Sequence, residues 1–504
     1  MPNCKIVFTS EVKCTVSGLL EVDRKALYNR YRFFVPTARF SPLYKMGRWN
    51  GYVSYFTEIG NTYISFLPDI LQYLQSRNYE ITYESIFKRP DIKFEPIDET
   101  FLSKYKWGKG HKLEGQPVMM FDHQVKVVNA LLSNHHSITE SATSSGKTLM
   151  CLAISERVKE YGKLIIVEPS ADLTTQTADF FKQFGIKCGI VGLGLREFDN
   201  DVIVATWQTI SSLLKKKVKT TKSTRSRQTD DLTDDEAARL KQGVVAVILD
   251  EAHQGAATEI FKIFTDYFKD IPLRWGLTGT VPKEKEKYYP LIASFGPVVA
   301  EVEAKELQDK GILAQCNISI LCMEDKEKFV EYDDEIKYLT TNIDKIKFEA
   351  AVINNISSAG NTLVLVQRID TGEKLLKEIE ALGKEAVFLS GSDKSTERMK
   401  EYKDMQQSDN KIIIATAQIA STGLDIPRIF NMVYIDMGKS FVKTIQSIGR
   451  GLRTYTDKTK VNIFDICSST KFSKRHTKER IKYYIEKKYP WQMINVQEWK
   501  KEDE

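Results

Sequence analysis

One short stretch, residues 141–148, constrains this chain more than any other. Its sequence is Ser-Ala-Thr-Ser-Ser-Gly-Lys-Thr, and it leads directly into an apolar stretch predicted to be helical at 149–158. Small residues let backbone N–H groups surround a phosphate, and the lysine and a hydroxyl complete such a site. The first position is serine where the general pattern has glycine, and a Ser/Thr-rich helix cap is the alternative interpretation. The stretch predicts phosphate contacts from Ser144, Ser145, Gly146, Lys147 and Thr148.

The composition is typical of a globular protein. Hydrophobic residues make up 42% of the 504 residues and charged residues 28%. No apolar run approaches the roughly 18 residues that cross a bilayer, and the N-terminus has no signal-peptide pattern. The seven cysteines include no Cys-x-x-Cys pair and the six histidines have no metal-ligand spacing, which predicts reduced thiols in a cytoplasmic compartment and argues against zinc. A net charge of +6 permits a nucleic-acid partner without indicating one.

After residue 120 the chain alternates short apolar runs with helical patterns. The runs at 164–167, 202–205, 244–249 and 273–277 are rich in Val, Ile and Leu, as parallel strands buried on both faces are. A second series of strands is predicted at 318–322, 362–366, 386–389, 412–415, 432–435 and 461–464, with helices at 343–357, 371–382 and 395–405. The sequence therefore predicts an α/β fold with two tandem parallel-sheet domains.

We place the domain boundaries where the composition changes. A small α+β domain is predicted at 1–105, a first α/β domain at 106–305, a second at 306–470, and a basic helical tail at 471–504. Inside the first α/β domain, lysines and arginines followed by aspartates predict a flexible charged insertion at 213–243. A solvated loop is the favoured interpretation of the insertion, and a DNA-contacting loop is the alternative.

Basic and aromatic residues interleave in the N-terminal domain between residues 30 and 56. Arg32, Arg48 and Trp49 lie in this stretch, and cations beside rings suit contact with phosphates and stacking on bases. A half-buried sheet with cationic edges explains the same composition at least as well. In that interpretation Asn50-Gly51 is the turn of a hairpin between aromatic strands.

An acidic pair, Asp250-Glu251, directly follows the apolar run 244–249. A carboxylate at the carboxyl end of a parallel strand, in the same domain as a phosphate-binding loop, is where the Mg²⁺ of a nucleotide is held. We assign Thr148 and Asp250 to the metal, and Glu251 to polarising the water that attacks the terminal phosphate. The Thr-Gly-Thr at 278–280 could sense that phosphate, but it is also common turn chemistry.

A glutamine and two arginines share one face of a helix predicted to begin near residue 441. Gln446, Arg450 and Arg453 are separated by four and three residues, so their side chains lie together. Two guanidiniums presented side by side suit bidentate capture of phosphate oxygens, as arginine fingers do. A solvated helix face is the alternative for either arginine alone, and the full Gln-x-x-Gly-Arg-x-x-Arg spacing favours the functional interpretation.

These motifs, in this order, resemble those of the superfamily 2 helicases of DEAH-box-like type. The resemblance implies two RecA-like domains that close on ATP and Mg²⁺. It assigns Gln124, in Phe-Asp-His-Gln at 121–124, to the adenine base, and Gly423 and Asp425 to the nucleotide. The residues that it assigns to nucleic acid are Pro169, Ser170, Thr206 and Gln208 in the first α/β domain, and Thr416 and Thr422 in the second.

The Tyr-Arg-Phe at 31–33 and Arg-Trp-Asn-Gly at 48–51 make the chain similar to phage helicases of this superfamily. These act on branched DNA in recombination and fork repair and also anneal strands. The resemblance therefore implies a forked or branched DNA partner and a monomer in the host cell cytoplasm. Three alternatives stay open: a duplex-translocating subunit of a restriction system, an RNA helicase, and a nucleotide-gated annealing protein whose ATPase is vestigial. The intact Lys147, Asp250, Glu251, Arg450 and Arg453 argue against the last.

Overall fold

The structure is a computed structural model that describes residues 2–109, 111, 113–220, 231–393, 395–417, 419, 426, 428–438, 458–497 and 499. In chain order, the strands are β1 Asn3–Phe8, β2 Lys13–Ser17, β3 Arg32–Phe34, β4 Tyr52–Ser54, β5 Asn61–Tyr63, β6 Glu80–Ser85, β7 His136–Ser141, β8 Lys163–Glu168, β9 Cys188–Gly192, β10 Leu195–Arg196, β11 Val202–Thr206, β12 Val244–Leu249, β13 Leu273–Thr278, β14 Val298–Val302, β15 Gln315–Met323, β16 Thr362–Val366, β17 Ala386–Leu389, β18 Ile412–Thr416, β19 Asn431–Ile435, β20 Lys460–Ser468 and β21 Trp491–Val496.

The helices in the same ranges are α1 Glu21–Arg30, α2 Pro42–Lys45, α3 Leu67–Ser76, α4 Asp122–Ser133, α5 Lys147–Val158, α6 Ala171–Gln183, α7 Trp207–Thr220, α8 Asp231–Lys241, α9 Thr258–Lys262, α10 Lys285–Phe295, α11 Ala304–Asp309, α12 Tyr332–Thr341, α13 Ile343–Ser357, α14 Ile369–Ala381, α15 Ser395–Gln407 and α16 Lys471–Glu486. Among the residues described, none of these helices combines the length and the apolar character needed to span a membrane.

Packing divides the chain into two units. The first comprises Met1–Ser141 with Lys147–Glu301, and the second comprises Val302–Glu504 with the short segment Ala142–Gly146. The main sheet of the first unit has the strand order β10-β9-β11-β8-β12-β13-β7-β14. The strands from β9 to β7 in this order pair in parallel, and the predicted strands at 164–167, 202–205, 244–249 and 273–277 are all confirmed.

The N-terminal sheet has the order β5-β2-β1-β6, and β3 and β4 form a separate antiparallel ribbon. This α+β region shares one continuous hydrophobic core with the main sheet of the first unit. The link is aromatic: Tyr289 of α10 lies 5.3–6.3 Å, centroid to centroid, from the rings of Tyr31, Phe33, Tyr55 and Phe66. Rings in contact bury large apolar areas, so the N-terminal region is held by the packing of the first unit and is not a loosely tethered module.

A buried charge cluster reinforces this junction. The guanidinium of Arg274 in β13 is fully buried and donates to the carbonyls of Phe264, Phe268 and Ser294. Burial lowers the pKa of Arg274 to about 9, and the nearby carboxylate of Glu11 acts in the opposite direction. Glu11 in turn donates its backbone N–H to Lys269 O at 3.0 Å and pairs with Arg89 at 3.1 Å.

Two local predictions are corrected by the structure. Asn50-Gly51 is not a two-residue hairpin turn, because β3 and β4 are joined by a longer connection that contains α2. Gly51 has a φ of +80°, and a Cβ there would lie 2.3 Å from the ring of Phe34, so glycine is required by close packing and by left-handed backbone.

The insertion predicted at 213–243 is helical on both sides of the undescribed residues 221–230, in α7 and α8. Leu213 and Leu240 are buried in the core of the first unit. The lysine run obscures this amphipathic pattern in the sequence, because charged residues are frequent in both segments. A flexible loop is therefore wrong for the two flanks.

The sheet of the second unit is parallel throughout, in the order β17-β18-β16-β19-β20-β15-β21. Alternate residues of its central strands enter two separate hydrophobic cores, as expected for a sheet covered on both faces. The chain after residue 470 is helical over α16, as predicted, but it then forms β21, which pairs with β15. This segment is thus part of the second sheet as well as a basic helix.

Candidate nucleotide and nucleic-acid sites

The phosphate-binding loop connects the carboxyl end of β7 to the first residue of α5. Its residue Ser144 has a φ of +64° and Gly146 a φ of +87°, and Ser145 N donates to Ala142 O at 3.1 Å. Left-handed residues in sequence turn backbone N–H groups toward one side, which makes an anion-binding concavity. Among the described residues, the Ser144 hydroxyl oxygen is buried without a hydrogen-bond partner, which is the state expected of a group that awaits a ligand.

Lys147 begins α5 and is buried, with only 9% of its surface exposed. Its Nζ contacts the carbonyl of Ser141 at 3.5 Å, and no carboxylate in the described ranges forms an ion pair with it. A buried ammonium without a counter-ion is unfavourable unless an anion binds it. The position at the loop's end and at a helix N-terminus fits a phosphate.

The acidic pair lies where the sequence predicts, immediately after β12. Asp250 N donates to Val167 O at 3.0 Å, and Asp250 Oδ1 accepts from Glu251 N at 2.8 Å. Glu251 has a φ of +49°, a strained conformation for a non-glycine residue, and only 8% of its surface is exposed. This sharp turn fixes the directions of two adjacent carboxylates at the sheet edge.

His253 connects the acidic pair to the end of the neighbouring strand β13. Its Nδ1 lies 3.4 Å from Glu251 Oε2 and 3.1 Å from Thr278 Oγ1. The Thr278 hydroxyl donates to Thr280 O at 3.0 Å, so its oxygen is left to accept from a protonated Nδ1. His253 therefore lies between the Glu251 carboxylate and the Thr278 hydroxyl, which brings the Thr-Gly-Thr stretch close to the acidic pair.

The close approach of these two segments depends on Gly276 in β13. A Cβ at this position would lie 3.1 Å from the Cβ of Ala252 and 3.3 Å from Ile138. On the other side of β13, Glu140 of β7 accepts from Val281 N at 3.2 Å. The strand that lies between β12 and β7 is thus held at its carboxyl end from both neighbours.

The predicted nucleic-acid residues of the first unit also come together. Strands β8 and β11 are paired, with Thr206 opposite Glu168, so Pro169 and Gln208 follow adjacent strand ends. Gln208 Nε2 donates to Pro169 O at 3.0 Å. The Ser170 hydroxyl accepts from Leu173 N at 3.3 Å and so caps α6. Helices α6 and α7 both begin at this edge, and helix N-termini favour phosphate.

Sequence reasoning missed Glu168, which ends β8. This carboxylate is buried, and its Oε1 accepts from Thr177 Oγ1 at 2.8 Å. The signal was available, because an acidic residue directly after an apolar strand is the same pattern that identified Asp250. Since Asp250 N donates to Val167 O, the acidic turn after β12 and the segment 168–170 at the end of β8 lie side by side on adjacent paired strands.

The predicted adenine-binding residue has a structural role in the first unit. Gln124 is buried, and its Oε1 accepts from Phe121 N at 2.9 Å, which closes the first turn of α4. The ring of Phe121 stacks on His123 at 5.7 Å and is half exposed, so Phe121 rather than His123 presents an aromatic face. The contact between Gln124 and a base stays a prediction.

In the basic and aromatic stretch between residues 30 and 56, the aromatic rings pack locally and several of the cations are exposed. Arg32 lies 4.2 Å from the ring centroid of Tyr52, and Trp49 Nε1 donates to Tyr52 O at 2.8 Å. Arg48 is exposed, and so are Arg39 and Lys45. The rings therefore take part in local packing, as the half-buried interpretation expects. Arg39, Lys45 and Arg48 are exposed and can contact a ligand.

In the second unit, Thr416 ends β18 and is buried. The predictions for Thr422, Gly423, Asp425, Gln446, Arg450 and Arg453 lie outside the described residues. What the structure does describe is a buried ion-pair cluster at the carboxyl end of β19, where Lys345 of α13 pairs with Glu349 and Asp436. This cluster fixes the point from which the chain leaves β19 toward residue 446.

Two family models match the chain: the res subunit of type III restriction enzymes at residues 117–283, and the helicase conserved C-terminal domain at 344–455. The ATP-dependent DNA helicase UvsW of Enterobacteria phage T4 is 23% identical over 465 residues, which are 88% of this chain and 87% of that protein. An HsdR fragment of a type I restriction enzyme from Vibrio vulnificus has a TM-score of 0.56 at 17% identity and covers 79% of this chain and 71% of its own.

Another similar structure is that of S. cerevisiae Dbp5 bound to RNA and ADP BeF3. It has a TM-score of 0.54 at 17% identity and covers 76% of this chain and 91% of its own. At such identities the solved structures support the fold alone. They agree with tandem α/β helicase domains, the fold class predicted from the strand pattern.

Proposed function

The chain belongs to the superfamily 2 helicases, and from this premise we propose that it is an ATP-driven DNA motor that remodels branched DNA. The observation that carries the motor assignment is the polar cluster at the carboxyl ends of β12 and β13, together with the buried Lys147, which forms no ion pair with a described carboxylate. Parallel sheets bind ligands at this edge. The helicase families hydrolyse ATP with a metal ion, and these residues fit that chemistry.

The residues of the phosphate-binding loop and of the acidic turn have distinct parts in this proposal. Lys147 and the N–H groups of 144–146 would bind the phosphates, while Thr148 and Asp250 would hold Mg²⁺, which offsets charge on the transferring phosphoryl group. Glu251 would orient and deprotonate the attacking water. His253, whose Nδ1 lies near both Glu251 and Thr278, would link movement of the Glu251 carboxylate to the strand end at 278–280.

The second unit would supply the arginines. Gln446, Arg450 and Arg453 are far in sequence from Lys147, so they can act only when the two domains close on the nucleotide, with Gly423 and Asp425 contributing from the preceding motif. An arginine finger accelerates phosphoryl transfer by about 10³-fold or more. Closure on ATP and reopening after hydrolysis would move the nucleic-acid contacts of Pro169, Ser170, Thr206, Gln208, Thr416 and Thr422 along phosphates.

The choice of DNA rests on the similarity to UvsW, which is named as a DNA helicase. The similarity to restriction subunits and to an RNA-bound protein keeps two rival substrates in view. We therefore expect ATP hydrolysis to rise most with forked DNA, less with linear duplex or single strands, and least with RNA. Stimulation by RNA alone would overturn the DNA assignment, and equal stimulation by linear duplex and fork would favour a restriction-type translocase. We further propose that the protein acts as a monomer in the cytoplasm.

The branch preference is assigned to the N-terminal patch, defined as Arg32, Arg39, Lys45, Arg48 and Trp49. Its exposed cations are accompanied by exposed apolar side chains, Phe40, Leu43 and Met46, a combination that suits a DNA junction with frayed bases. Deleting the whole domain would be uninformative, since Tyr289 would lose the rings that pack against it. Point substitutions test the proposal instead.

We expect the triple variant Arg39→Gln, Lys45→Gln, Arg48→Gln to weaken fork binding and to reduce the slope of log Kd against log salt by about 2 to 3, since each phosphate contact contributes about 0.9. The matched control neutralises Lys5, Lys25 and Lys88, which are exposed on the same domain. If both triples change the fork preference equally, the patch is not the branch reader.

A further inference from the structure

Helix α16 has two opposite faces, and only one is explained by the fold. The buried face consists of Ser473, His476, Thr477, Arg480 and Tyr484. Arg480 makes a bidentate contact with Asp465 of β20 at 2.7 and 2.8 Å and donates to the carbonyl of Met437. At the helix start, the backbone N–H groups of residues 472 and 473 donate to Glu335 at 2.7–3.0 Å. The helix is therefore rigidly attached to the second unit.

The opposite face is a basic stripe, defined as Lys471, Lys474, Arg475, Lys478 and Lys482. At about 100° per residue, these five positions fall within a sector of about 100° that points away from the buried side chains. All of them are exposed. The acidic residues of the exposed surface, Glu479 and Glu486, lie at one margin of this sector and do not interrupt it.

Few of these cations are neutralised in the described part of the chain. Lys482 pairs with Glu479 at 2.8 Å, and Lys471 donates to the carbonyl of Val330 at 3.2 Å. Lys474, Arg475 and Lys478 form no ion pair with a described carboxylate. Like charges three and four residues apart repel each other and destabilise a helix, so a solvated stripe of this regularity is unfavourable by itself. An anionic ligand would remove that repulsion.

The chemistry of the stripe indicates a phosphate backbone rather than exposed bases. Single-strand sites combine cations with aromatic rings on which bases stack. Here the nearest ring, Phe472, is already covered by Lys471 at 4.8 Å and Arg475 at 5.3 Å and packs against Tyr332. The lysines at 474, 478 and 482 are spaced by about 6 Å along the axis, and they form a straight, rigid row that suits a stiff duplex.

We propose that the basic stripe of α16 binds the phosphate backbone of double-stranded DNA, as a duplex anchor on the second unit. The inference rests on the proposed function, because it names the duplex part of a branched substrate as the partner of this helix. The helix lies beyond the match to the helicase C-terminal domain, which ends at residue 455. It would add a contact to the duplex that the motor motifs do not provide.

Salt-dependent binding tests the proposal with the full chain. The variant Lys474→Gln, Arg475→Gln, Lys478→Gln should lower the slope of log Kd against log salt for a linear duplex by about 2 to 3. It should change the slope for single-stranded DNA by less than one. The control variant Lys337→Gln, Lys347→Gln, Lys377→Gln removes the same charge from exposed positions on α12, α13 and α14 of the same unit and should change neither slope appreciably.

The outcomes separate the two proposals. Equal changes in the stripe and control variants would overturn the anchor, and so would equal changes on single strands and duplex. If the unaltered protein bound no DNA at all, the proposed function would fail first. Lysine acetylation of the unaltered protein gives an independent readout: duplex should protect residues 474, 478 and 482 several-fold more than residues 337, 347 and 377, and equal protection would contradict the inference.

Discussion

Strands β7 and β13 carry hydroxyl groups at their carboxyl ends and titratable side chains near their amino ends. At the carboxyl ends lie Ser141, which leads into the phosphate-binding loop, and Thr278, which contacts His253 at 3.1 Å. At the amino ends lie His136 and Arg274, which face Glu11 and Arg89 of the N-terminal region. Thr278 contacts His253 and Thr280 at 3.0–3.3 Å, whereas the fully buried guanidinium of Arg274 donates to three carbonyls.

The comparison shows that the two edges of this sheet differ in role. The carboxyl edge holds the candidate site, and the amino edge contacts the N-terminal region. At the carboxyl edge, a buried lysine and a strained turn are tolerated because a ligand can satisfy them. At the amino edge, the described charges contact neighbouring groups: Arg274 donates to three carbonyls and Glu11 pairs with Arg89, which helps to hold the N-terminal region. The N-terminal region, which carries the proposed branch-reading patch, thus shares its core with the sheet that ends in the candidate nucleotide site.

The largest expected effect separates chemistry from stability at the carboxyl edge. Glu251→Gln should reduce kcat for ATP hydrolysis by about 10² to 10⁴-fold, because a general base acts on the transition state. ATP binding and the melting temperature should be nearly unchanged. Lys147→Ala serves as the comparison, since it should weaken nucleotide binding itself. Normal turnover by Glu251→Gln would show that Glu251 is not the general base, and would contradict the catalytic role of the carboxyl edge.

At the amino edge we expect the opposite result, a large loss of stability with little change in kcat. Arg274→Met should destabilise the first unit by about 3 to 5 kcal/mol, because Glu11 and three carbonyls lose a buried partner. At a temperature where the variant remains folded, its kcat should stay within about two- to threefold of the parent value. Arg24→Met, a more exposed arginine of the N-terminal region, is the control for stability. A large loss of kcat without loss of stability would show that the two ends are not separate.

The sequence was informative where residue type and environment agree. Val244–Leu249 is buried on both faces and uniformly apolar, so both the strand and the position of Asp250 were predictable. β7 was missed because His-Ser-Ile-Thr-Glu-Ser has polar residues at most positions, although its middle is buried. Arg274 could not be placed either, since a charge inside an apolar strand gives no sign of which carbonyls will receive it.

Long-range contacts account for the other failures. Nothing local indicates that Trp491–Val496 pairs with β15, because the partner strand lies about 170 residues earlier and parallel pairing has no turn signal. The contact between His253 and Thr278 could not be predicted for the same reason, since no local sequence signal joins the two segments. By contrast, Gly51 could have been assigned as a close-packed glycine from its aromatic neighbours, had the connection between β3 and β4 not been taken for a tight turn.

The smallest predicted effect concerns pH and the amino edge. Burial, followed by the guanidiniums of Arg274 and Arg89, lowers the pKa of His136 to about 3, and its Nε2 lies 3.0 Å from Pro272 O. The imidazole of an unfolded chain titrates near pH 6.5. Between these two values the unfolded chain binds more protons than the folded one. Stability should therefore rise with pH across this window and fall as the pH drops below about 6.5.

His136→Gln removes this proton while keeping a group that can donate to Pro272 O. Since 22% of the side chain is exposed, solvent reduces the effect, and we expect the variant to recover about 1 kcal/mol of the stability that the parent loses between pH 6.5 and 5. Glu11, whose own pKa is raised by burial, titrates in both proteins and so drops out of the difference. If His136→Gln and the parent lose stability in parallel as the pH falls, His136 is already protonated in the fold, and the amino edge is not the closed, fully partnered cluster that its contacts indicate.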